Sequence, residues 1–244
     1  MSKTVWITGA SSGIGREFAR RYARLGFRLI LTARRTDRLE ALAAELTAKH
    51  STFCRILPAD LEQESECARL CEALTDERID IFINNAGFGV CGSFLETSGE
   101  KELSMAKVNV LAMHQLFKFA VKKMEAQGFG TVLNVASSAG LLPGGPYMAG
   151  YYATKAYVVS LTRGVAEELR EQHSPVYVCA LLYTRVAFFI PTVKVFSWHN
   201  YCKFFLILLR FREIVIKTDS AKAGIAACCT QWPFSPVFSS AGGP

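Results

Sequence analysis

A tyrosine and a lysine four residues apart, Tyr151 and Lys155 in "YYATK", form the pair best suited to acid–base chemistry. The spacing places both side chains on the same face of a predicted helix. A lysine ammonium near a phenol favours the phenolate and lowers a pKa that is about 10 in a free tyrosine. Such a tyrosine can exchange a proton with a reacting oxygen near neutral pH. Tyr152 is adjacent but lacks this spacing, and an ordinary surface pair is the alternative interpretation.

A second chemical feature is the glycine-rich turn formed by Gly9, Gly13 and Gly15. These glycines stand between a predicted strand and a predicted helix. The unpaired N–H groups and positive dipole end of a helix N-terminus suit a diphosphate. Glycine also lets the backbone approach such a ligand and lets the helix pack closely on the strand. The turn therefore predicts a dinucleotide site with Ser11 and Ser12 as hydroxyl donors; a tight turn without a ligand is the alternative.

The loop after the second predicted strand indicates which dinucleotide is bound. An NAD site usually has an acidic residue there, which bonds the ribose 2′-OH. This sequence has Ala33 followed by Arg34 and Arg35. Arginine can bind a 2′-phosphate bidentately, whereas an acid would repel it. We therefore expect NADP(H), and a solvated basic loop is the alternative.

The elements that position these residues alternate along the chain. The predicted strands are Thr4–Ile7, Leu29–Thr32, Phe53–Leu57, Ile79–Ile83, Thr131–Val135 and Val176–Leu182. The predicted helices are Gly13–Leu25, Asp37–Lys49, Glu62–Leu74, Glu100–Ala126 and Tyr151–Glu171. This alternation predicts right-handed βαβ units and an α/β fold with a doubly wound parallel sheet, the Rossmann fold.

The apolar spacing on the first two helices predicts which faces are buried. On the first helix the expected core residues are Ile14, Phe18, Tyr22 and Leu25. On the second helix they are Leu39, Leu42 and Leu46.

Five segments of the chain together resemble the short-chain dehydrogenase/reductase family. They are "TGASSGIG" at 8–15, "NNAG" at 84–87, the asparagine of "KVNV" at 109, "VASSAG" at 135–140 and "YYATK" at 151–155. The similarity covers roughly residues 3–182, and it is greatest to bacterial, cytoplasmic members that prefer NADP. The resemblance implies hydride transfer between a nicotinamide and a carbonyl or alcohol substrate.

The resemblance also implies the catalytic residues. Tyr151 supplies the proton to the forming alkoxide, Ser138 stabilises that oxygen, and Lys155 with Asn109 relays the proton from solvent. Ser137 is the other serine of the segment and is interpreted as a structural turn hydroxyl. An asparagine inside an apolar helix is unfavourable unless it has a role; a satisfied buried amide is the alternative for Asn109.

The family pattern and the turn and loop residues described above together give a cofactor-binding set. The resemblance implies that Asp60 contacts the adenine amino group and that residues 85–87 line the adenosine ribose, with Asn84 supporting the central sheet. Leu141, Leu142 and Met148, in the loop before the catalytic helix, indicate a largely apolar carbonyl substrate. The full cofactor set is Gly9, Ser11, Ser12, Gly13, Ile14, Gly15, Arg34, Arg35, Asp60, Leu61, Asn85, Ala86, Gly87, Tyr151 and Lys155.

Composition disfavours several other classes of protein. No apolar run approaches the roughly 18 residues that span a bilayer, and we read no signal peptide. The eight cysteines form no C-x-x-C pair and no histidines have metal-ligand spacing, so we expect reduced thiols, no metal and a cytoplasmic location. The net charge of +7 is concentrated in residues 184–244, which argues against a nucleic-acid partner. A homo-oligomer through helices Glu100–Ala126 and Tyr151–Glu171 is compatible with this pattern.

The alternating pattern ends at residue 182. Eight of the 17 phenylalanines lie in residues 184–244, and Tyr183–Thr184 stand where the family has Pro-Gly. We therefore divide the chain into a catalytic domain, 1–182, and an atypical segment, 183–244, in place of the family's lid and last strand. Glu213–Lys217 is the candidate seventh strand, and a frame shift near residue 182 is the hypothesis for the change. The alternative function is a protein that binds the cofactor but is inactive; weak amphipathic character argues against an interaction role for the segment.

Overall fold

A computed structural model describes residues 2–183. Its strands are β1 Thr4–Thr8, β2 Arg28–Thr32, β3 Cys54–Ile56, β4 Ile81–Asn84, β5 Gly130–Val135 and β6 Val176–Leu181. Its α-helices are α1 Gly13–Arg24, α2 Thr36–His50, α3 Glu64–Ala73, α4 Gly99–Ala106, α5 Met113–Gln127 and α6 Ala149–Glu171. A π-helical segment spans Lys107–Ala112 and a 3-10 turn spans Ser138–Leu141. Thr184, the candidate strand Glu213–Lys217 and the segment expected in place of the family's lid lie outside the described residues.

The six strands form one parallel sheet in the order β3-β2-β1-β4-β5-β6. This arrangement confirms the predicted doubly wound α/β fold. The direction of winding reverses between β1 and β4, so a crevice opens there beyond the carboxyl ends of the strands. The glycine-rich turn follows β1 and the "NNAG" segment begins at the end of β4, so both lie at this crevice.

Large apolar side chains fill the core around the central strands. Trp6 and Phe82 are fully buried, lie opposite each other in β1 and β4, and stack with ring centroids 4.1 Å apart. The indole N–H of Trp6 donates to Thr32 Oγ1 at 3.0 Å, so its one polar group is satisfied. Burial of aromatic and aliphatic side chains of this size stabilises the fold by about 1.5–3 kcal/mol each.

The predicted buried face is confirmed for α2 and partly wrong for α1. Leu39, Leu42 and Leu46 are buried as expected. On α1 Tyr22 is buried, but Leu25 is 44% exposed, and Ile14 and Phe18 are only partly buried. The remaining buried positions of α1 belong to small residues, Gly15, Ala19 and Ala23. Small side chains let this helix approach the sheet closely, and the pattern of large apolar residues does not show that approach.

The predicted helix Glu100–Ala126 exists, but it is not α-helical throughout. A π-helical segment separates α4 from α5 and contains Asn109. Such segments are rare and occur frequently at functional sites. The wider turn changes the direction in which side chains point without interrupting the helix, so apolar periodicity alone does not show it.

Buried amides tie the sheet to α6. Asn84 and Asn134 face each other in β4 and β5, and Asn84 Nδ2 donates to Asn134 Oδ1 at 3.2 Å. Asn134 Nδ2 donates in turn to Thr162 Oγ1 at 2.9 Å. All three side chains are buried. Asn84 therefore supports the sheet, as its sequence context suggests.

Within residues 2–183 no helix combines the length and apolar character needed to cross a membrane. The same part of the chain has no cluster of three or more His, Cys, Asp or Glu side chains able to hold a metal ion. Burial raises the pKa of the Cys54, Cys67 and Cys71 thiols to about 11. These three thiols are therefore protonated and unreactive at neutral pH.

Candidate active site at the carboxyl edge of the sheet

The glycine-rich turn has a backbone that other residues adopt only with strain. Gly9 and Gly13 have φ of +67° and +55°, in the left-handed region that favours glycine. A methyl group on Gly13 would meet no atom within 4 Å, so this side of the turn is open. Ser12 precedes α1 in an extended conformation, and its side chain does not cap the helix. The helix N-terminus therefore keeps N–H groups available for an anion.

Gly15 lies where α1 crosses closest to the end of β1. A methyl group at this position would be 2.4 Å from Gly9 O and 2.6 Å from Asn85 Nδ2. Asn85 Nδ2 itself donates to Thr8 O at 2.8 Å. The side chain of Asn85 thus holds the glycine-rich turn, and its predicted contact with a ribose stays a prediction.

Thr8 is a site residue that the sequence reasoning missed. Its fully buried hydroxyl accepts hydrogen bonds from the backbone N–H groups of Asn85 at 2.9 Å and Ala86 at 3.0 Å. It thereby fixes the segment after β4 against the end of β1. A threonine at the last position of a buried strand, directly before a glycine turn, is the signal that could have identified it.

Arg35 lies beside the glycine-rich turn. Its Nη2 atom is 3.3 Å from both Ser11 Oγ and Ser12 Oγ. Arg35 forms no ion pair with a carboxylate of the described residues. A cation and two hydroxyl groups are thus gathered at the carboxyl ends of β1 and β2.

Arg34 points to the acidic segment after β3. Its Nη1 atom is 3.1 Å from Glu62 Oε1 and 3.9 Å from Asp60 Oδ1, and its side chain is 61% exposed. Exposed ion pairs of this kind contribute only about 0–1 kcal/mol, so Arg34 can leave them for a stronger anion. Asp60 also accepts from the backbone N–H of Glu62 at 3.2 Å. Leu61 is buried in the core, so only its backbone can reach a ligand.

Lys155 and Tyr151 share one side of α6, as their spacing predicts. Lys155 is 6% exposed, and its Nζ atom donates to Val135 O at 2.9 Å. The same atom lies 5.9 Å from the centroid of the Tyr151 ring. Burial lowers the pKa of Lys155 from 10.5 to about 8. The ammonium is therefore mostly protonated at neutral pH and lies beside the phenol.

Asn109 is buried, and its side-chain amide is satisfied. Its Oδ1 atom accepts from the backbone N–H of Phe88 at 3.0 Å. Its Nδ2 atom donates to Phe88 O at 2.8 Å and to Thr154 Oγ1 at 3.1 Å. A methyl group on Gly87 would be 2.8 Å from Asn109 Oδ1 and 3.6 Å from Lys155 Nζ. Asn109 therefore lies near the lysine, but both of its amide hydrogens are already donated, and its role with Lys155 in relaying the proton stays a prediction.

The two candidate serines have different surroundings. Ser137 Oγ is buried and accepts from Ala139 N at 3.2 Å, which fits a structural turn hydroxyl. Ser138 Oγ has no hydrogen-bond partner in the part of the chain that the structure describes, and its backbone N–H donates to Tyr183 O at 3.2 Å. Ser138 is therefore the serine whose hydroxyl is available to a ligand.

Gly140 brings the serine turn against α6. A methyl group on Gly140 would be 2.4 Å from Lys155 O, a backbone atom that cannot give way. The turn that carries Ser138 therefore packs directly on the part of α6 that carries Lys155. This glycine was not identified from the sequence, because a glycine in a loop does not by itself indicate that another element packs against it.

Tyr151 and Tyr152 face different segments. A methyl group on Gly89, in the loop after β4, would be 3.2 Å from Tyr151 Cδ2. A methyl group on Gly145, in the loop before α6, would be 2.5 Å from Tyr152 Cζ. Only Tyr151 lies beside the segment that follows the central strand.

A backbone hydrogen bond joins the loop after β4 to the loop before α6. Gly92 N donates to Tyr147 O at 2.8 Å, and Tyr147 has a φ of +61°, an uncommon value for a bulky residue. Large apolar side chains on these loops are exposed. They are Phe94, Leu95, Leu141, Leu142 and Tyr147. An apolar ligand could cover these side chains.

The described site thus combines an anion-binding turn with a phenol, a buried ammonium and an available hydroxyl. All of these groups lie at the carboxyl ends of the parallel strands or at the start of α6. The phenol can exchange a proton with an oxygen, and the hydroxyl can bond the same oxygen. Such an arrangement suits proton transfer to or from a substrate held beside a phosphate-containing cofactor.

Comparison with known proteins places the chain in one family. The profile of the family described as short chain dehydrogenase matches residues 3–190. The match ends shortly after residue 182, where the sequence pattern changes.

Relatives and solved structures agree with this match. The chain is 34% identical over 174 residues to a very-long-chain 3-oxoacyl-CoA reductase of Podospora anserina, covering 68% of this chain and 51% of that protein. It is 30% identical over 175 residues to the 17-beta-hydroxysteroid dehydrogenase type 3 of Mus musculus, covering 70% of this chain and 57% of that protein. The chain thus spans little more than half the length of these curated relatives.

A short-chain dehydrogenase from Sphingobium yanoikuyae, solved in complex with NADPH, has a similar structure. The TM-score is 0.72 at 29% sequence identity, and the alignment covers 91% of this chain and 98% of that chain. The present chain therefore belongs to the short chain dehydrogenase family.

Proposed function

We propose that the chain is an NADP(H)-dependent oxidoreductase that transfers a hydride between the nicotinamide and a carbonyl or alcohol substrate. The observation that carries the proposal is the buried Lys155 beside Tyr151, at the edge of the sheet where the glycine-rich turn lies. Burying an ammonium is costly, and the single bond from Lys155 Nζ to Val135 O offsets only part of that cost, which favours a chemical role for the group beside the phenol. Two relatives are named as a reductase and a dehydrogenase, and these names support an oxidoreductase reaction.

The residues of the turn fit a dinucleotide phosphate. The open side of Gly13 and the N-terminus of α1 provide room and N–H donors for a diphosphate. Arg35, with Ser11 and Ser12, provides a cation and hydroxyl groups for a 2′-phosphate. When bound, NADPH supplies the hydride.

Side chains of the protein then transfer the proton between the enzyme and the substrate oxygen. Tyr151 donates its phenolic proton to the substrate oxygen, and the Ser138 hydroxyl donates a hydrogen bond to that oxygen. Lys155, protonated at neutral pH, stabilises the phenolate that Tyr151 becomes. In the direction of alcohol oxidation, the same phenolate accepts the proton. Asn109 holds the segment after β4 next to the lysine.

A largely apolar ketone is the substrate class that the loops favour. Leu141 and Leu142, shortly before α6, and Phe94, in the loop after β4, have exposed side chains that offer apolar surface. A 3-oxoacyl chain and a steroid, which the names of two relatives specify, are both large and apolar. These names support the class of substrate and leave the individual compound open.

Two measurements on the full chain test the proposal. NADPH fluorescence titration measures binding, and a panel of apolar ketones with NADPH measures turnover. We expect saturable NADPH binding and ketone-dependent NADPH oxidation. NADPH binding without turnover of any ketone would favour the alternative of a cofactor-binding but inactive protein.

A homo-oligomer through α4, α5 and α6 remains part of this proposal. Leu103 and Leu111, on the helical run from Gly99 to Gln127, are 66% and 65% exposed, and Tyr157 of α6 is 38% exposed. Covering such side chains is a common reason for subunit association.

The preference for NADP(H) is expected to depend on the two arginines after β2. Replacing Arg34 or Arg35 with aspartate should weaken NADPH binding by about 1–3 kcal/mol, because charge-assisted bonds to the 2′-phosphate are lost. NADH binding should be unchanged or tighter, since an acid there can bond the ribose hydroxyl. Fluorescence titration with both cofactors measures the preference.

Arg38, exposed in the first turn of α2, provides the control. Its replacement with aspartate changes the charge equally but should leave the preference unaltered. Equal binding of NADH and NADPH by the unmodified protein would refute the assignment of the arginines.

Gly15 is expected to tolerate no side chain. In Gly15→Ala the added methyl would overlap Gly9 O, a backbone atom. We expect destabilisation by about 1–3 kcal/mol and loss of tight NADPH binding. Urea unfolding and fluorescence titration measure the two effects.

Gly164→Ala is the matched control, because Gly164 lies in α6 and a methyl there would meet no atom within 4 Å. Removing a helical glycine should stabilise the protein by about 0.5–1 kcal/mol. If Gly15→Ala behaved like Gly164→Ala, the close approach of α1 to β1 would be wrong.

A further inference from the structure

We propose that Thr154 is a positioning residue, whose hydroxyl fixes the Tyr151–Lys155 turn of α6 against the loop that follows β4. This inference rests on the proposed function of the Tyr151–Lys155 pair. The Thr154 hydroxyl bonds neither the Tyr151 phenol nor the Lys155 ammonium. Its importance follows from the hydrogen bonds that converge on it.

The Thr154 hydroxyl is buried, and it both donates and accepts a hydrogen bond. Its Oγ1 atom donates to Tyr151 O at 2.8 Å. It accepts from Asn109 Nδ2 at 3.1 Å. A hydroxyl has one proton, so the bond to Tyr151 O directs its lone pairs toward Asn109. Thr154 is 6% exposed, so water does not readily replace either partner.

Asn109 extends this connection to the loop after β4. Its amide forms two hydrogen bonds with the backbone of Phe88, one to the N–H and one to the carbonyl. Phe88 directly follows Gly87, where an added methyl would be 3.6 Å from Lys155 Nζ. A continuous chain of bonds therefore runs from the backbone of Tyr151 through Thr154 and Asn109 to the loop beside the lysine.

A second threonine of α6 has the same chemistry in a different place. Thr162 Oγ1 donates to Val158 O at 2.6 Å and accepts from Asn134 Nδ2 at 2.9 Å. Thr162 is 1% exposed. Each threonine thus bonds one helix carbonyl and one buried asparagine. Thr162 lies eight residues beyond Thr154, away from the pair.

Comparison of Thr154 with Thr162 separates a positioning role in catalysis from a purely structural role. Threonine hydroxyls often bond the carbonyl of the preceding helical turn, and a buried donor that loses its acceptor destabilises any fold. Both threonine-to-valine changes should therefore lower stability to a similar extent. Only the change at Thr154 should let the Tyr151–Lys155 turn shift relative to the loop after β4.

The test uses the full chain and four variants, Thr154→Val, Thr154→Ser, Thr162→Val and Thr162→Ser. With NADPH and an apolar ketone, Thr154→Val should lower kcat by about tenfold or more, because small displacements of catalytic groups are costly. Its Kd for NADPH should stay within about twofold of the unmodified protein, since the diphosphate and 2′-phosphate are proposed to bind at the glycine-rich turn and Arg35. Thr154→Ser should restore kcat, and Thr162→Val should lower the urea midpoint but not kcat.

A second readout does not depend on turnover. NMR titration of ¹³Cε-labelled lysine reports the pKa of Lys155, which burial lowers to about 8. Thr154→Val should move this pKa toward the ordinary lysine value, because the packing around the ammonium loosens; Thr162→Val should not move it. An unmodified protein that reduces no ketone would contradict the proposed function, and the lysine titration would still decide the role of Thr154. Equal kcat losses in the two valine variants, or an unmoved Lys155 titration in Thr154→Val, would overturn the inference.

Discussion

Replacing Tyr151 with phenylalanine is expected to lower kcat by about 10²- to 10⁴-fold, the usual contribution of a positioned acid or base. The ring that packs beside Gly89 is kept, and only the proton donor is removed. The Kd for NADPH should therefore stay within about twofold, because the phenol acts on the substrate oxygen. Steady-state kinetics with an apolar ketone and NADPH fluorescence titration measure the two quantities.

Tyr152→Phe is the control for the Tyr151 prediction. The Tyr152 ring packs over Gly145, on the other loop, and the substitution keeps that packing. We expect kcat to be nearly unchanged. A large loss in Tyr152→Phe with full activity in Tyr151→Phe would show that the wrong tyrosine has been assigned.

Replacing Lys155 with methionine is expected to abolish efficient turnover and to stabilise the fold. Burial lowers the pKa of Lys155 from 10.5 to about 8, which corresponds to a cost of about 3 kcal/mol for the buried charge at neutral pH. Methionine removes this cost but also removes the bond from a charged donor to Val135 O, worth about 1.5–3 kcal/mol. The desolvation cost is at least as large, so we expect a net gain of up to about 1.5 kcal/mol in the free energy of unfolding.

The pH dependence of this gain identifies its cause. Between pH 8 and 10.5 the folded state releases the Lys155 proton before the unfolded state does, so the stability of the unmodified protein rises with pH in that window. The advantage of Lys155→Met should be greatest below pH 8 and should shrink toward pH 10.5. Urea unfolding at several pH values measures it.

Lys101, exposed on α4, provides the matched control. Lys101→Met should give no gain of this size, because no buried charge is removed. A Lys155→Met protein that is less stable than the unmodified protein at pH 7 would contradict the interpretation that the lysine is kept for chemistry at the expense of stability.

The fold could be predicted from the sequence because each helix and strand has a clear local pattern of apolar residues. The β-prone run Thr4–Ile7 and the apolar face of Leu39, Leu42 and Leu46 are such signals. Strand and helix bounds shifted by only one or two residues. The predicted face of α1 was only partly correct, because its closest approach to the sheet is made by Gly15, Ala19 and Ala23, which add little to an apolar pattern.

The site residues could be predicted where their spacing in the sequence is enough to bring them together. Tyr151 and Lys155 lie on one helix, and the three glycines lie in one turn, so local geometry is sufficient. Thr8, Gly140 and Thr154 were missed because their partners lie far away in the sequence. The π-helical segment around Asn109 was also missed, because apolar periodicity does not report the width of a helical turn.

Transfer of deuterium from labelled NADPH tests the central claim most directly. The full chain is incubated with an apolar ketone and NADPH carrying deuterium at both positions of nicotinamide C4, and the alcohol is examined by mass spectrometry and NMR. The proposed function predicts one deuterium on the carbinol carbon, formed by the unmodified protein and about 10²- to 10⁴-fold more slowly by Tyr151→Phe. NADPH binding accompanied by no labelled alcohol across the ketone panel would contradict it.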